Sequence, residues 1–300
     1  MNFPFILANN RQKLWLWMIA LGILGLILFL VQSFGDWGQA AWDVPQVRDA
    51  FWGGSAAALA TAAGTLPVFF WKQLPDRIMD TLFGFGAGVM LAASAFSLIV
   101  PGIESAQAQG ASAWGAASMV GGSIIIGAAL LLALERWVPH EHFIKGMERE
   151  NTLALKRTWL FVFAIALHNV PEGLAIGVGF AGGDVVRGGA LATGIAIQDI
   201  PEGFVVAMAL AVVGYSRRTA ILIGMASGLV EPAGAVLGAA IVSSSAALLP
   251  WGLGIAAGAM LFVVSHEIIP ESHRKGHEIF ATSGLIVGFV LMMMLDTALA

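Results

Sequence analysis

The chain contains two near copies of one six-residue segment, HNVPEG at residues 168–173 and QDIPEG at residues 198–203, and a Glu231-Pro232 pair follows them. Residues three and four positions apart share one face of a helix. The motifs therefore form two polar faces, one of His168, Asn169 and Glu172, the other of Gln198, Asp199 and Glu202. Imidazole nitrogen, carboxylate oxygen and amide oxygen together suit Zn²⁺ and its neighbours Cd²⁺, Mn²⁺ and Fe²⁺. The spacing predicts a site for a divalent metal ion.

The composition places these polar residues in a membrane protein. Of the 300 residues, 58% are hydrophobic and 11% are charged, so the chain is far more apolar than a soluble domain. The formal net charge of -4 is small, which argues against a nucleic-acid-binding surface. Because there is no cysteine, disulfides and thiolate metal sites are excluded. We therefore expect a polytopic protein in a lipid bilayer, with one membrane domain.

Apolar runs between charged or Pro- and Gly-rich breaks predict nine transmembrane helices, numbered here as spans zero to eight. Their predicted limits are 14–33, 50–71, 78–100, 113–135, 158–182, 187–213, 219–242, 251–270 and 279–298. The predicted fold class is all-α, a bundle of eight core helices with one N-terminal extra helix in a segment of residues 1–48. We interpret span zero as a retained helix rather than a signal peptide, because its apolar core is long. The membrane domain is predicted to cover residues 49–300, with a cytoplasmic loop at 139–157.

The charge distribution predicts the orientation of the bundle. With a cytoplasmic N-terminus, all of the 15 Lys and Arg residues except Arg48 and Arg187 lie in inside segments. The segment SLIVP at residues 97–101 ends span two, and the similar HEIIP at residues 266–270 ends span seven in the opposite direction. This similarity predicts that spans one to three and six to eight are inverted repeats flanking spans four and five, a 3+2+3 arrangement.

The polar faces lie deep in their spans. Counted from the predicted start of each span, His168 and Glu172 are ten and fourteen residues in, Glu202 is fifteen and Glu231 is twelve. At a rise of about 1.5 Å per residue, these positions reach the bilayer midplane. An uncompensated Asp or Glu there costs roughly 2.5–3.5 kcal/mol. These acids and Asp199 are therefore predicted to face an interior site, where a cation offsets their charge.

A proline accompanies each of these acidic residues. Proline cannot donate a hydrogen bond to the carbonyl four residues earlier, so Pro171, Pro201 and Pro232 are predicted to kink their helices. Kinks and freed carbonyls in membrane helices are typical of transporter binding sites.

The paired motifs, with Glu231-Pro232 in the next span, resemble the signature of the ZIP family of divalent metal transporters, and spans one to eight look most like the bacterial members. The resemblance implies a binuclear site, with one metal ion held by His168, Glu172 and Glu202 and the other by Asn169, Asp199, Glu202 and Glu231. Gln198 is adjacent, and Met90 in span two matches a methionine that reaches the first ion. The family also implies a homodimer and an elevator-like motion, in which spans one, four, five and six slide against two, three, seven and eight.

These inferences predict a plasma-membrane transporter, not an enzyme, that imports divalent cations into the cytoplasm. Zn²⁺ is the expected substrate and Cd²⁺ its surrogate, with Fe²⁺ and Mn²⁺ as further candidates. Three residues near the cytoplasmic end of span seven form a candidate exit site: His266, Glu267 and His277. Solvation at the membrane interface explains this last group equally well.

Three alternatives remain open at this stage. The midplane residues can form an interhelical hydrogen-bond network, and Met90 can simply pack against its neighbours. An intramembrane metalloenzyme is suggested by HEIIP at 266–270, although a zinc protease needs a second His where Pro270 stands. A proton-coupled carrier of organic solutes uses the same acids but has no need of the His and amide side chains.

Overall fold

Helices account for nearly all of the residues that the structure describes. The computed structural model describes residues 42–70, 74–137, 168–212 and 214–299, and this part of the chain contains no β-strand. Its main helices, α1 to α8, are Pro45–Thr65, Asp76–Ala108, Ala113–Trp137, 168–181, Val185–Val212, Arg217–Ser243, Ala246–His273 and Glu278–Leu299. Span zero, nearly all of the 1–48 segment, the 139–157 loop and the start of span four lie outside the described residues. The predicted all-α class is confirmed for the described part.

By its internal packing the chain divides into two units, Met1–Val44 and Pro45–Ala300, and α1 to α8 all belong to the second unit. Six of these helices are long and apolar enough to cross a membrane, namely α2, α3, α5, α6, α7 and α8. They correspond to predicted spans two, three and five to eight.

Helix α1 and the described part of α4 are helical where spans one and four were predicted, but they are outside that set of six. Helix α1 begins at Pro45, earlier than the predicted residue 50, because proline is well tolerated in the first turn of a helix. The residues gained before position 50 therefore include Arg48 and Asp49, and the rest of the helix is rich in Gly, Ala, Ser and Thr. Small residues of this kind let membrane helices approach closely.

Helix α2 continues past Pro101, although span two was predicted to end at residue 100. A π-helical segment, Ala93–Ile99, precedes this proline, and α7 has a π-helical segment, Val264–Ile268, just before Pro270. A proline removes one i to i−4 hydrogen bond, and a wider turn before it lets the helix continue. The two proline segments that are similar in sequence thus share the same local irregularity.

The helices pack in two sets. The most extensive contacts join α2 with α8 and α3 with α7, and, in the other set, α1 with α5 and α6. Helix α4 packs on α6, where the backbone of Gly173 and Gly177 lies against that of Glu231 and Ala235. Short connections with positive φ at Gly183 (φ 79°) and Gly276 (φ 82°) reverse the chain between α4 and α5 and between α7 and α8.

Candidate metal centre

The polar faces of α4 and α5 meet each other and the start of the second half of α6. Glu172 and Glu231 are fully buried, Asn169, Gln198 and Asp199 nearly so, and Glu202 is half-buried. One carboxylate oxygen from each of Glu172, Asp199 and Glu202 lies within 4.8 Å of the other two. Two oxygen ligands on opposite sides of one divalent cation are about 4–5 Å apart, so these three acids have the spacing of a metal site.

The Gln198 side chain clamps two of the acids. Its Nε2 group donates to Oε1 of Glu172 on α4 and to Oδ1 of Asp199 beside it, the latter at 2.6 Å. Both hydrogens of the amide are thereby used, and one oxygen of each carboxylate is held in place. Gln198 therefore joins α4 to α5 at the level of the acids.

Helix α6 is interrupted at Gly228–Leu229, beside the predicted kink at Pro232. The backbone N–H of Glu231 donates to the carbonyl of Gly228 at 3.1 Å, which leaves the carbonyl of Ser227 without its regular helical partner. Nδ2 of Asn169 donates to that Ser227 carbonyl and to Oε1 of Glu231, both at 3.1 Å. The interruption thus creates an acceptor that positions a predicted ligand from α4.

Thr61, on α1, is a site residue that the sequence reasoning missed. It is buried, and its Oγ1 donates to Oε1 of Glu231 at 3.0 Å. A threonine in a Gly- and Ala-rich helix has no neighbouring acid or motif that would indicate a site. No signal in the sequence indicated Ser227 either, because it contributes a backbone carbonyl, which accepts a hydrogen bond from Asn169.

Five of the predicted ligands each keep one side-chain oxygen that makes no hydrogen bond to the described residues. These buried atoms are Asn169 Oδ1, Glu172 Oε2, Asp199 Oδ2, Glu202 Oε1 and Glu231 Oε2, and Ser243 Oγ is the one other such atom in the described part. A buried polar group left unsatisfied costs about 1–3 kcal/mol, and more if it is charged. Five such oxygens on three adjoining helices are therefore available to bind one or two divalent cations.

His168 faces the other side of the cluster. Its Nε2 lies 2.7 Å from Oε2 of Glu267, in the π-helical segment of α7. Both residues line a cavity of about 320 Å³, which runs from Gln198 and Glu202 to Glu271 and Arg274 near the end of α7. At that rim the Glu271 carboxylate accepts two hydrogen bonds from Arg274 and raises the pKa of the guanidinium group.

The predicted exit residues fall in two places. His266 and Glu267 both line the cavity, and the His266 ring stacks on Phe262 with 5.0 Å between ring centroids. His277 is not among the residues that line the cavity. Its Nδ1 instead lies 2.9 Å from Oδ2 of the buried Asp80.

Met90 is fully buried on α2. One turn before it, Gly86 lines the cavity, and a Cβ atom at Gly86 would lie 3.3 Å from Oε1 of Gln198. Helix α2 therefore reaches the site close to Met90.

A second cavity, of about 260 Å³, lies toward the opposite ends of α2 and α5 and is lined by Ser97, Glu104 and Arg187 among others. Ser97, on α2, donates to Oδ1 of Asp296, on α8, at 2.6 Å. The residues of α2 between the two cavities, Val89 to Ala93, include Met90 and are almost all fully buried.

The glycines that end both motifs have a steric reason. A Cβ atom at Gly173 would lie 2.5 Å from the carbonyl oxygen of Glu231, and one at Gly203 would overlap the carbonyl oxygen of Thr61. The glycines therefore let α6 approach α4 and let α1 approach α5 at the level of the predicted ligands.

Comparison with known proteins shows which family the chain resembles. A family model described as ZIP zinc transporter matches residues 139–296. Zinc transporter ZIPB of Bordetella bronchiseptica is 45% identical to the chain over 309 aligned residues, which cover 100% of both proteins. Zinc transporter GufA of Myxococcus xanthus is 44% identical over 243 residues, 81% of this chain and 96% of GufA. Zinc transporter ZIP11 of Homo sapiens is 32% identical over 322 residues, 80% of this chain and 94% of ZIP11.

The family consists of transporters rather than enzymes, so the metalloenzyme alternative loses its support. Together with six apolar membrane-spanning helices, the match identifies a multi-pass plasma-membrane protein. From the paired motifs, the clustered acids and full-length similarity to ZIPB, this chain belongs to the ZIP zinc transporter family.

Proposed function

We propose that the protein imports Zn²⁺ into the cytoplasm through a binuclear site buried among α4, α5 and α6. The observation that carries this proposal is the set of five buried oxygens that have no hydrogen-bond partner among the described residues, each on a residue of the two motifs or on Glu231. Such atoms destabilise an empty site and stabilise one that contains a divalent cation. The curated relatives named as zinc transporters support Zn²⁺ as the substrate.

In this proposal one ion is bound by His168, Glu172 and Glu202, with Met90 and Gln198 beside it. The other ion is bound by Asn169, Asp199, Glu202 and Glu231, so that Glu202 bridges the two ions. The short distances among Glu172, Asp199 and Glu202 support a shared site. The ligands are nitrogen and oxygen atoms, which suit Zn²⁺ and also Cd²⁺, with Fe²⁺ and Mn²⁺ as weaker candidates.

The cation leaves through the cavity that runs from Glu202 to Arg274, and His266 and Glu267 lie on that route. His277 is a further candidate on the exit side. Arg274 and Lys275 are on the side that the positive-inside rule assigns to the cytoplasm, with the N-terminus on the same side. The buried stretch of α2 around Met90 closes the site toward the second cavity, as alternating access requires.

We further propose the elevator-like motion of α1, α4, α5 and α6 against α2, α3, α7 and α8, in a homodimer. The two sets of closely packed helices support this division. The π-helical segments before Pro101 and Pro270 support the 3+2+3 inverted repeat, because two segments of similar sequence carry the same irregularity.

Flux into proteoliposomes tests the proposal. Purified protein should carry Zn²⁺ and Cd²⁺ into vesicles, and anomalous diffraction from crystals soaked in either metal should locate two ions among the named ligands. A protein that binds no transition-metal ion, or that moves an organic solute and no metal, would overturn the assignment.

A further inference from the structure

The two oxygens of Glu231 have different surroundings. Oε1 accepts hydrogen bonds from Thr61 Oγ1 at 3.0 Å and from Asn169 Nδ2 at 3.1 Å, whereas Oε2 is buried and has no partner in the described residues. Any smaller rotation of the carboxylate than a half-turn would break both bonds, and a half-turn only swaps two equivalent oxygens. The two donors therefore fix the plane of the carboxylate and leave one of its oxygens available for a cation.

Two acceptors lie within hydrogen-bonding distance of the Thr61 hydroxyl. Its Oγ1 lies 3.2 Å from the carbonyl of Ala57, its own helical neighbour, and 3.0 Å from Glu231. A hydroxyl carries one hydrogen, and an ionised carboxylate is the stronger acceptor. When Glu231 is ionised to bind a cation, the hydrogen therefore goes to Glu231.

Backbone packing holds Thr61 in position. A Cβ atom at Gly203 on α5 would overlap the Thr61 carbonyl oxygen, and one at Gly228 on α6 would lie 2.9 Å from Thr61 Cβ and 3.1 Å from its Oγ1. The side chain of threonine is also restricted at χ1 by its branched Cβ. Thr61 thus presents its hydroxyl from a rigid crossing of three helices.

We propose that Thr61 is a positioning residue of the metal site, which orients Glu231 so that Oε2 binds the ion shared with Asn169 and Asp199. The inference rests on the proposed binuclear function and adds to it a partner on α1 that none of the ligand motifs contains. Outer partners that orient metal ligands typically change the affinity by about 10–100-fold when they are removed. Because Glu231 is the one acid of the described residues to which the Thr61 hydroxyl is hydrogen-bonded, the effect should fall on one ion of the two.

The test compares Thr61→Val and Thr61→Ser in the purified full-length protein. Titration calorimetry with Cd²⁺, in competition with a chelator, measures the affinities of the two ions separately. Thr61→Val keeps the shape of the side chain and removes the hydroxyl, so it should weaken one ion by about 10-fold or more and change the other by less than about twofold. Thr61→Ser keeps the hydroxyl and should bind both ions nearly as the native protein does.

Thr65→Val is the matched control. Thr65 is also a buried threonine on α1, but its Oγ1 donates to the carbonyl of Ala62, at 2.7 Å, in its own helix. This variant should leave both affinities unchanged. If Thr61→Val does not yield folded protein, Thr61→Ala removes the same hydroxyl and must show the same selective loss.

Several outcomes would overturn the proposal. Native affinity for both ions in Thr61→Val, an equal loss of both ions, or a Thr61→Ser variant as impaired as Thr61→Val would each contradict a positioning role. These results differ from a failure of the proposed function, in which the native protein itself would bind no pair of ions.

Discussion

The imidazole Nε2 of His168 lies 2.7 Å from Oε2 of Glu267, so a proposed metal ligand on α4 contacts the π-helical segment of α7. The contact joins the two sets of packed helices. An ion that binds His168 through this nitrogen must first displace Glu267.

Glu267→Gln should therefore strengthen binding of the ion at His168, by up to about tenfold, because a neutral amide replaces the charged carboxylate that competes with the ion for His168 Nε2. Release of the ion into the cavity should slow accordingly. Chelator-competition titration and stopped-flow release of Cd²⁺ measure the two effects. Glu271→Gln is the control, since Glu271 lines the same cavity but bonds to Arg274. Weaker binding in Glu267→Gln would instead make Glu267 a ligand.

Glu202→Ala and His168→Ala should each abolish uptake of Zn²⁺ and Cd²⁺ into proteoliposomes. Glu202 is proposed to bridge both ions, and His168 supplies the imidazole among the proposed ligands of the first ion. Membrane insertion and the oligomeric state, measured by size-exclusion chromatography, should be unchanged. Native uptake in either variant would count decisively against the proposed ligand set.

Uptake of Zn²⁺ should slow as the pH is lowered from about 8 to about 5. Carboxylate and imidazole ligands bind metal only when deprotonated, so protons compete with the ion at every proposed ligand of this kind. Initial rates in vesicles with a fixed membrane potential measure the effect. A rate that is flat across this range would show that loading of the acids does not limit transport.

Gly203→Ala should destabilise the protein by about 1–3 kcal/mol and reduce uptake, because the added methyl group overlaps the carbonyl of Thr61. Gly189→Ala, on the same helix, should be neutral or slightly stabilising, since a Cβ atom there would meet no heavy atom of another described helix within 4 Å. Thermal unfolding in detergent gives the comparison. Equal stability of the two variants would mean that α1 and α5 separate easily at this crossing.

The polar residues that face the site could be predicted from the sequence, because their residue types recur at helical spacing. His168, Asn169 and Glu172 on α4, and Gln198 on α5, needed only the periodicity of a helix and the cost of charge in hydrocarbon. The structure brings side chains of the two motifs and of Glu231 into contact with one another.

The partners of these residues could not be predicted in the same way. Thr61 is 170 positions from Glu231 along the chain, and His277 is 197 positions from Asp80, so their contacts depend on how whole helices cross. The end of α2 was misplaced for a local reason, because a π-helical segment lets the helix continue through Pro101 where the proline rule predicts a stop.

The glycine crossings at Gly173 and Gly203 have a consequence for how the cargo is chosen. Backbone packs directly on backbone there, with no side chain between the helices to compress, so the proposed metal site would keep its dimensions during the proposed elevator motion. In that mechanism, discrimination between cations would be decided once, on loading. Discharge would then come from changes around the site, such as entry of water and of the Glu267 carboxylate, and not from any widening of the site itself.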